Sequence, residues 1–328
     1  MRCATRSAPL LAAVLPTALG GCAGVQSVLD PAGLEAAALL DLFWVLLIGA
    51  VVIWIALNGT FFLVTRLKPG PMPRRRAEAL IVGGGVIFPT AGLGALLVGA
   101  LPYLTELRPT VGEPTVRVTG EQWWWRVDYL TEDGTVASAN ELRLPVGRAT
   151  ELALGADEVI HSFWIPALAG KMDMFPGRET RLSLEPFRTG VFRGQCAELC
   201  GIGHALMAFS AVVMEQAAFD AWLARQAAPA APPADARARR GQAVFLSQGC
   251  GACHAIRGTP ADGGFGPDLT HVGGRLTIAA GTLPNTAESL ALWIAETHDV
   301  KPGVEMPEYE LIGPEALADL AHYLDGLE

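Results

Sequence analysis

Cys196-Ala197-Glu198-Leu199-Cys200-Gly201-Ile202-Gly203-His204-Ala205-Leu206-Met207 is the densest chemistry in this 328-residue sequence. Two thiols, an imidazole and a thioether fall within one short loop. Soft sulfur with imidazole selects copper or zinc, and a methionine tilts the choice towards copper. A local Cys-x3-Cys disulfide would leave His204 and Met207 without a role. Around the loop, short apolar-alternating runs recur between Gly, Pro and Asp turns: 115–118, 125–129, 141–144, 181–184 and 211–214. Their period of two predicts strands, and their number predicts a β-sandwich or barrel from Pro109 to about Phe219.

Upstream of this domain the chain is membrane-like. Two apolar stretches, about Leu39 to Val64 and about Ala79 to Leu101, each exceed the ~20 residues that cross a bilayer as a helix. Between them lie Arg66, Lys68, Arg74, Arg75 and Arg76 with no acid among them, which places that loop on the cytoplasmic side. The N-terminus and everything after Leu101 then face the periplasm or cell exterior. Residues 1–22 read as a leader: Arg2 and Arg6, an apolar run, then Leu19-Gly20-Gly21-Cys22. That ending resembles a lipoprotein cleavage box, in which Cys22 becomes a lipidated N-terminus. An ordinary secretory leader is the alternative.

Downstream, residues 227–240 are rich in Ala and Pro and read as a semi-extended tether. From Gly241 the pattern turns helical, most clearly over Pro314 to Leu324. This last domain carries Cys250-Gly251-Ala252-Cys253-His254, a C-x-x-C-H haem attachment motif. Two thiols add to the porphyrin vinyl groups and the adjacent imidazole reaches the iron. Gly266-Pro267-Asp268-Leu269 offers a Pro carbonyl to orient that histidine. Met306, the only Met after Met214, supplies a sixth ligand, and Met/His ligation raises the haem potential. His271, His298 and His322 read as structural or surface residues.

The composition limits the alternatives. Only 17% of residues are charged and 51% are hydrophobic, which fits a chain partly in lipid. The net charge of −9 argues against nucleic acid, which needs a basic face. Four of the six cysteines form two close pairs, a pattern for metals or cofactors rather than a disulfide framework.

The copper loop is similar to the binuclear copper (CuA) loop of cytochrome c oxidase subunit II. Gly120-Glu121-Gln122-Trp123-Trp124-Trp125 resembles that family's Gln-Trp-aromatic-Trp box, and His161-Ser162-Phe163-Trp164-Ile165-Pro166 resembles the segment donating its remote histidine. Lys171 to Arg178 matches the stretch that follows, and the two-span hairpin matches the family's anchor. The resemblance covers about Leu39 to Phe219, while residues 241–328 resemble a class I cytochrome c. It implies that Cys196 and Cys200 bridge two coppers, that His161 and His204 bind one each, and that Met207 and the Glu198 carbonyl are weak ligands. It also implies a magnesium site reached by the Glu198 side chain at the interface with subunit I. Trp123 would be an exposed residue through which electrons enter the copper centre. Asp157 and Glu158 match acids that dock a basic donor, and Glu78 corresponds to a proton-entry glutamate.

The expected architecture is therefore a multi-domain membrane protein with five segments. They are a leader (1–22), a two-helix transmembrane hairpin (39–101), an exported all-β cupredoxin-like domain (109–226), a linker (227–240) and an all-α cytochrome c domain (241–328). The resemblance implies an electron-transfer subunit of a proton-translocating oxidase in a bacterial inner membrane, with subunit I, subunit III and an external donor such as a basic cytochrome c as partners. Two other readings remain at this point. One is the electron-entry subunit of a CuA-containing nitric oxide reductase. The other is a membrane-anchored copper chaperone.

Overall fold

The computed structural model describes residues 23–67, 70–106, 112–309 and 311–328. The leader, with Cys3 and Cys22, lies outside the described residues, as does Lys68 of the basic loop. Ala37–Arg108 forms one compact unit, and the segments flanking it form another.

The first unit is the apolar pair. Helix α1 (Leu34–Phe62) continues as a π-helical turn to Leu67. The second span runs through α2 (Arg74–Ala79), a π-helical stretch (Leu80–Ile87) and α3 (Phe88–Glu106). The candidate spans Leu34–Leu67 and Arg74–Leu101 have mean hydropathies of 2.5 and 2.0, and almost none of their residues are buried within the chain. At 1.5 Å per residue even the shorter one exceeds the ~30 Å hydrocarbon core. Apolar surface on this scale requires lipid or neighbouring helices. The widened stretch contains Gly83, Gly84 and Gly85, whose lack of side chains weakens the ordinary helical preference. Glu78, at the start of this span, pairs with Arg74 one turn earlier at 2.7 Å.

The second unit begins with a β-sandwich. Strands β1 (Val116–Glu121), β2 (Trp124–Thr131), β3 (Gly134–Ala139), β4 (Glu141–Pro145) and β5 (Thr150–Ala156) come first. They are followed by β6 (His161–Trp164), β7 (Met172–Met174), β8 (Thr180–Leu184), β9 (Gly190–Cys196) and β10 (Ala208–Met214). They form two five-stranded sheets, ordered β3-β2-β1-β5-β8 and β4-β10-β9-β6-β7. Alternation along β1 and β2 buries Val116, Val118, Trp125, Val127 and Tyr129 between the sheets. Trp125, fully buried, meets Phe163 and Phe209 edge-on at 5.7 and 5.2 Å. Such aromatic pairs add about 0.5–1.5 kcal/mol beyond area burial. Helix α4 (Gln216–Ala227) closes one end by placing Trp222 against Tyr129 at 5.1 Å. Residues 23–36 are strapped across the sandwich: Phe187 N donates to Ala32 O, and Arg193 N to Val25 O, both at 2.9 Å.

The helical domain starts earlier than its composition suggests. Helix α5 (Ala236–Ser247) opens at Asp235, whose carboxylate accepts from Ala238 N at 2.7 Å. That bond satisfies one of the orphan donors at a helix start. Helices α6 (Ala287–Ala295), α7 (Thr297–Val300) and α8 (Pro314–Asp325) follow, with a minimal pair β11 (Thr277–Ile278) and β12 (Leu283–Pro284). Phe245 and Tyr323 pack α5 against α8, and Asp319 on α8 binds Arg240 and Arg237 at 2.6 and 3.0 Å.

The expected tether is replaced by a short, pinned connection. Residues 236–240 are helical, and Ala230 N bonds Arg257 O. The Arg257 guanidinium donates to the Gln226 carbonyl, and His271 Nε2 lies 2.9 Å from Ala228 O. Polar contacts join the sandwich to the helical domain directly. Leu276 N donates to Glu141 at 2.9 Å, Arg143 to Gly274 O at 3.2 Å and Arg126 to Gly264 O at 3.1 Å.

Candidate metal and haem sites

The copper-type donors converge at one end of the sandwich. Cys196 ends β9, Met207 immediately precedes β10, and the loop between them carries Glu198, Cys200 and His204. His161 arrives from the first residue of β6, which pairs with β9. The sheet therefore brings a histidine 35 positions upstream onto the loop. Room for its ring comes from Gly120 of β1, where a Cβ would sit 2.8 Å from the His161 ring.

The sulfur atoms of Cys196 and Cys200 lie 3.7 Å apart, and both thiols are free. His161 Nδ1 is 3.8 Å from Cys196 Sγ, and His204 Nδ1 is 3.7 Å from Cys200 Sγ. Met207 Sδ is 3.9 Å from Cys200 Sγ, and the Glu198 carbonyl is 3.1 Å from Cys196 Sγ. Each thiol thus faces one imidazole, with a thioether and a carbonyl at the margins. His161, Cys196, Cys200 and Met207 are buried. Two imidazoles, two thiols and a thioether are a donor set for copper. The thiols also share charge unequally. The Cys200 thiol beside it pulls Cys196 well below the usual thiol range against the effect of burial, with help from His161. Cys200 is correspondingly pushed up, first by Cys196 and then by burial. The pair thus favours one thiolate, and a bound cation would displace the remaining proton.

The Glu198 side chain points away from this cage, half-exposed and 3.9 Å from Lys171 Nζ. Lys171 also holds Asp173 at 2.6 Å, and Asp173 lies on β7 directly opposite Ser162 of β6. The 171–178 stretch therefore braces the histidine strand. Asp157 and Glu158 are exposed in the turn between β5 and β6.

Trp123 departs from expectation. It is 6% exposed and sits in the turn between β1 and β2, rather than at the surface. Its Nε1 donates to Cys200 O at 3.0 Å, and Gln122 Nε2 donates to the same oxygen at 2.8 Å. A Cβ at Gly203 would lie 2.5 Å from its ring, so the copper loop packs flat against the indole. The helical domain approaches its far edge: a Cβ at Gly303 would meet the ring at 3.2 Å. Of the three tryptophans, Trp123 and Trp125 are buried and Trp124 is half-buried beside Arg126.

In the helical domain, Cys250, Cys253, His254 and Met306 line a single apolar cavity with Phe245 and Leu324. The His254 ring is fixed by Nδ1, 2.7 Å from Pro267 O, which leaves Nε2 as the free ligand atom. Burial pushes its pKa down, so the neutral imidazole is favoured. A Cβ at Gly266 would lie 2.5 Å from the ring. Arg275, absent from the sequence-based site, also lines the cavity; it is half-buried, and its enclosed Nε has no hydrogen-bond partner among the described residues. A cation beside an apolar slot suits a planar group carrying carboxylates. The cavity therefore fits haem in its thiols, its imidazole, its walls and its charge. Only position in the folded chain reveals Arg275; nothing in its local sequence does.

These features define an electron-transfer subunit built from a copper-binding sandwich and a cytochrome domain. The family model for the cytochrome c oxidase subunit II periplasmic domain matches residues 131–216, and that for cytochrome c matches residues 238–328. Cytochrome c oxidase subunit 2 of Alkalihalophilus pseudofirmus is 36% identical, over 99% of this chain and 97% of the relative. That of Bacillus subtilis is 28% identical, over 97% of both. A crystal structure of the periplasmic domain of cytochrome oxidase subunit II from Bradyrhizobium japonicum is 30% identical over 36% of this chain and 96% of its own, with a TM-score of 0.34. The chain belongs to the cytochrome c oxidase subunit 2 family.

Proposed function

We propose that this subunit accepts electrons from an external donor at a covalent haem c, passes them to a binuclear CuA centre and delivers them to subunit I, where oxygen is reduced to water and protons are pumped. Each cofactor, when bound, would supply a one-electron carrier. Cys250 and Cys253 would hold the haem covalently, and His254 and Met306 would hold its iron. Cys196, Cys200, His161, His204, Met207 and the Glu198 carbonyl would hold the coppers. The Glu198 carboxylate, directed outside the cage, is available to magnesium at the subunit I interface.

One observation carries this reading. Lys301, five residues before Met306, donates to the Trp123 carbonyl, and the Trp123 indole donates to the Cys200 carbonyl. Trp123 therefore lies between the Met306 loop and a residue of the copper loop. The pinned residues 226–230 keep the two domains together. Two spans return a chain to the side it started from, and residues 23–36 pack on the sandwich that follows the second span. That packing supports an inner-membrane hairpin with both domains on the periplasmic or outer face. Subunit III and a basic cytochrome c complete the set of partners. The test is the purified complex: oxygen consumption together with the near-infrared band of a mixed-valence copper pair supports the reading, and the absence of that band refutes it.

A further inference from the structure

The loop that leads to Met306 contains a buried lysine, Lys301, which borders the haem cavity but directs its ammonium at the sandwich rather than into that cavity's ligand set. Lys301 is 2% exposed and follows α7 directly, its N–H bonded to Thr297 O at 2.9 Å. Its ammonium donates to the carbonyl oxygen of Trp123. No carboxylate forms an ion pair with it among the described residues. Burial pushes its pKa down to about 7, opposed by Cys200. A buried cation held by one carbonyl is a costly way to fill space. An apolar side chain would serve packing better.

What Lys301 does accomplish is registration. Two residues on, Gly303 adopts a positive φ of 84°, and a Cβ added there would lie 3.2 Å from both the Trp123 ring and Ile202. The cavity that contains His254 and Met306 is bordered by Gln122, Trp124 and Asn140 of the sandwich. The helical domain alone thus leaves one wall of its cavity missing, and the sandwich supplies it.

We propose that Lys301 is a positioning residue that locks the Met306 loop onto Trp123, making the haem cavity a joint site walled on one side by Gln122, Trp124 and Asn140. The proposal depends on the assignment of the two centres given above. A fixed contact of this kind replaces diffusive encounter through a tether with one held geometry, and displacements of about 1 Å can cost on the order of a hundredfold in rate.

Lys301→Met, similar in length but unable to donate, tests this in the assembled oxidase. Three readouts are needed: flash-induced haem-to-copper transfer, reduction of the haem by an external donor, and backbone hydrogen exchange of residues 122–125 and 301–306. Transfer to copper is expected to slow about tenfold, the population shift from losing one hydrogen bond to a charged group. Exchange in both segments quickens, and reduction from outside keeps its rate. Gly303→Ala pushes the same loop off Trp123 while retaining the cation, and the same split between the two steps is expected. Wild-type transfer and exchange in both variants would overturn the proposal, as would equal slowing of both steps. A wild-type complex lacking haem absorption or the copper band would overturn the assignment of the centres instead, and hydrogen exchange would still decide the latch.

Discussion

The indole Nε1 of Trp123 donates to the carbonyl oxygen of Cys200 at 3.0 Å, so the aromatic residue at the domain contact is bonded to a residue of the copper cage. Gln122 supplies a second donor to that oxygen. The ring is held on one face by Gly203 and approached at its far edge by Gly303. Trp123 is therefore both a support for the copper loop and the nearest bridge to the Met306 loop.

Trp123→Phe keeps an aromatic ring and deletes the donor. The loss of one neutral hydrogen bond costs about 1 kcal/mol, and Gln122 still holds the Cys200 carbonyl. Copper is expected to remain bound with its near-infrared band, while haem-to-copper transfer slows. Flash kinetics and copper analysis on the same preparation check this, and a lost copper band with an unchanged transfer rate would refute it.

Cys200→Ser replaces a thiolate with a hydroxyl, which binds copper weakly and does not deprotonate easily. Cys200 lies within 3.9 Å of Cys196, His204 and Met207. Cys196, with His161, the Glu198 carbonyl and Cys200 beside it, has as many of the donors as neighbours. Copper content and the near-infrared band are expected to fall together, while the haem spectrum persists. An intact two-copper signal in this variant would remove Cys200 from the ligand set.

The strands and the ligand loop were legible because each leaves a local signature. Alternation along 125–129 reflects a face buried between sheets, and Cys-x3-Cys with His and Met reflects one loop folding its donors together. The haem motif was legible for the same reason. Burial of Trp123 was not, because it depends on residues 301–303, which only the tertiary fold brings across. The pinned connection was hidden likewise: an Ala/Pro-rich stretch looks flexible until Arg257 and His271 fasten its carbonyls. Lys301, buried, and Arg275, half-buried, have no motif of their own to mark them. A side chain's role at a contact between distant segments has no period to betray it.

Met306→Ala removes a thioether that lines the same cavity as the fixed His254 ring. With Cys250 and Cys253 untouched, the haem is expected to stay attached. The potential is expected to fall, since Met/His ligation raises it. Redox titration of the visible bands checks this, and an unchanged potential and spectrum would exclude Met306 as the sixth ligand.

Acid is expected to loosen the helical domain through Asp319. The Arg240 guanidinium, and then Arg237, hold its carboxyl below the usual range. Unfolded, the same carboxyl titrates at its ordinary value, so the folded state binds fewer protons between the two. Its contribution to stability is therefore complete above the ordinary carboxylate range and is lost as pH falls through it towards the folded value. Thermal melts followed at the haem bands are expected to drop across that window in the wild type and to drop less in Asp319→Asn. Parallel melting curves for the two would show that α5 and α8 are held by packing alone.

Salt is expected to separate the two electron-transfer steps. Residues 241–328 carry Arg257, Arg275 and Lys301 against twelve acids, a net −9. A basic external donor is steered to such a surface, and that steering weakens as ions screen it. Raising salt from ~20 to ~200 mM shrinks the Debye length about threefold, so electron entry slows. The internal step has different contacts. Arg126, Arg143 and Lys301 each donate to a backbone carbonyl across the domain boundary, and Glu141 accepts from a backbone N–H. None of these is an ion pair between the domains, and Lys301 and Glu141 are buried from the screening ions. Haem-to-copper transfer is therefore expected to keep its rate over the same range. Flash-induced kinetics on the intact complex resolve both steps. A steep loss of the internal step with salt would mean that the domains meet through opposite charges that these contacts do not contain.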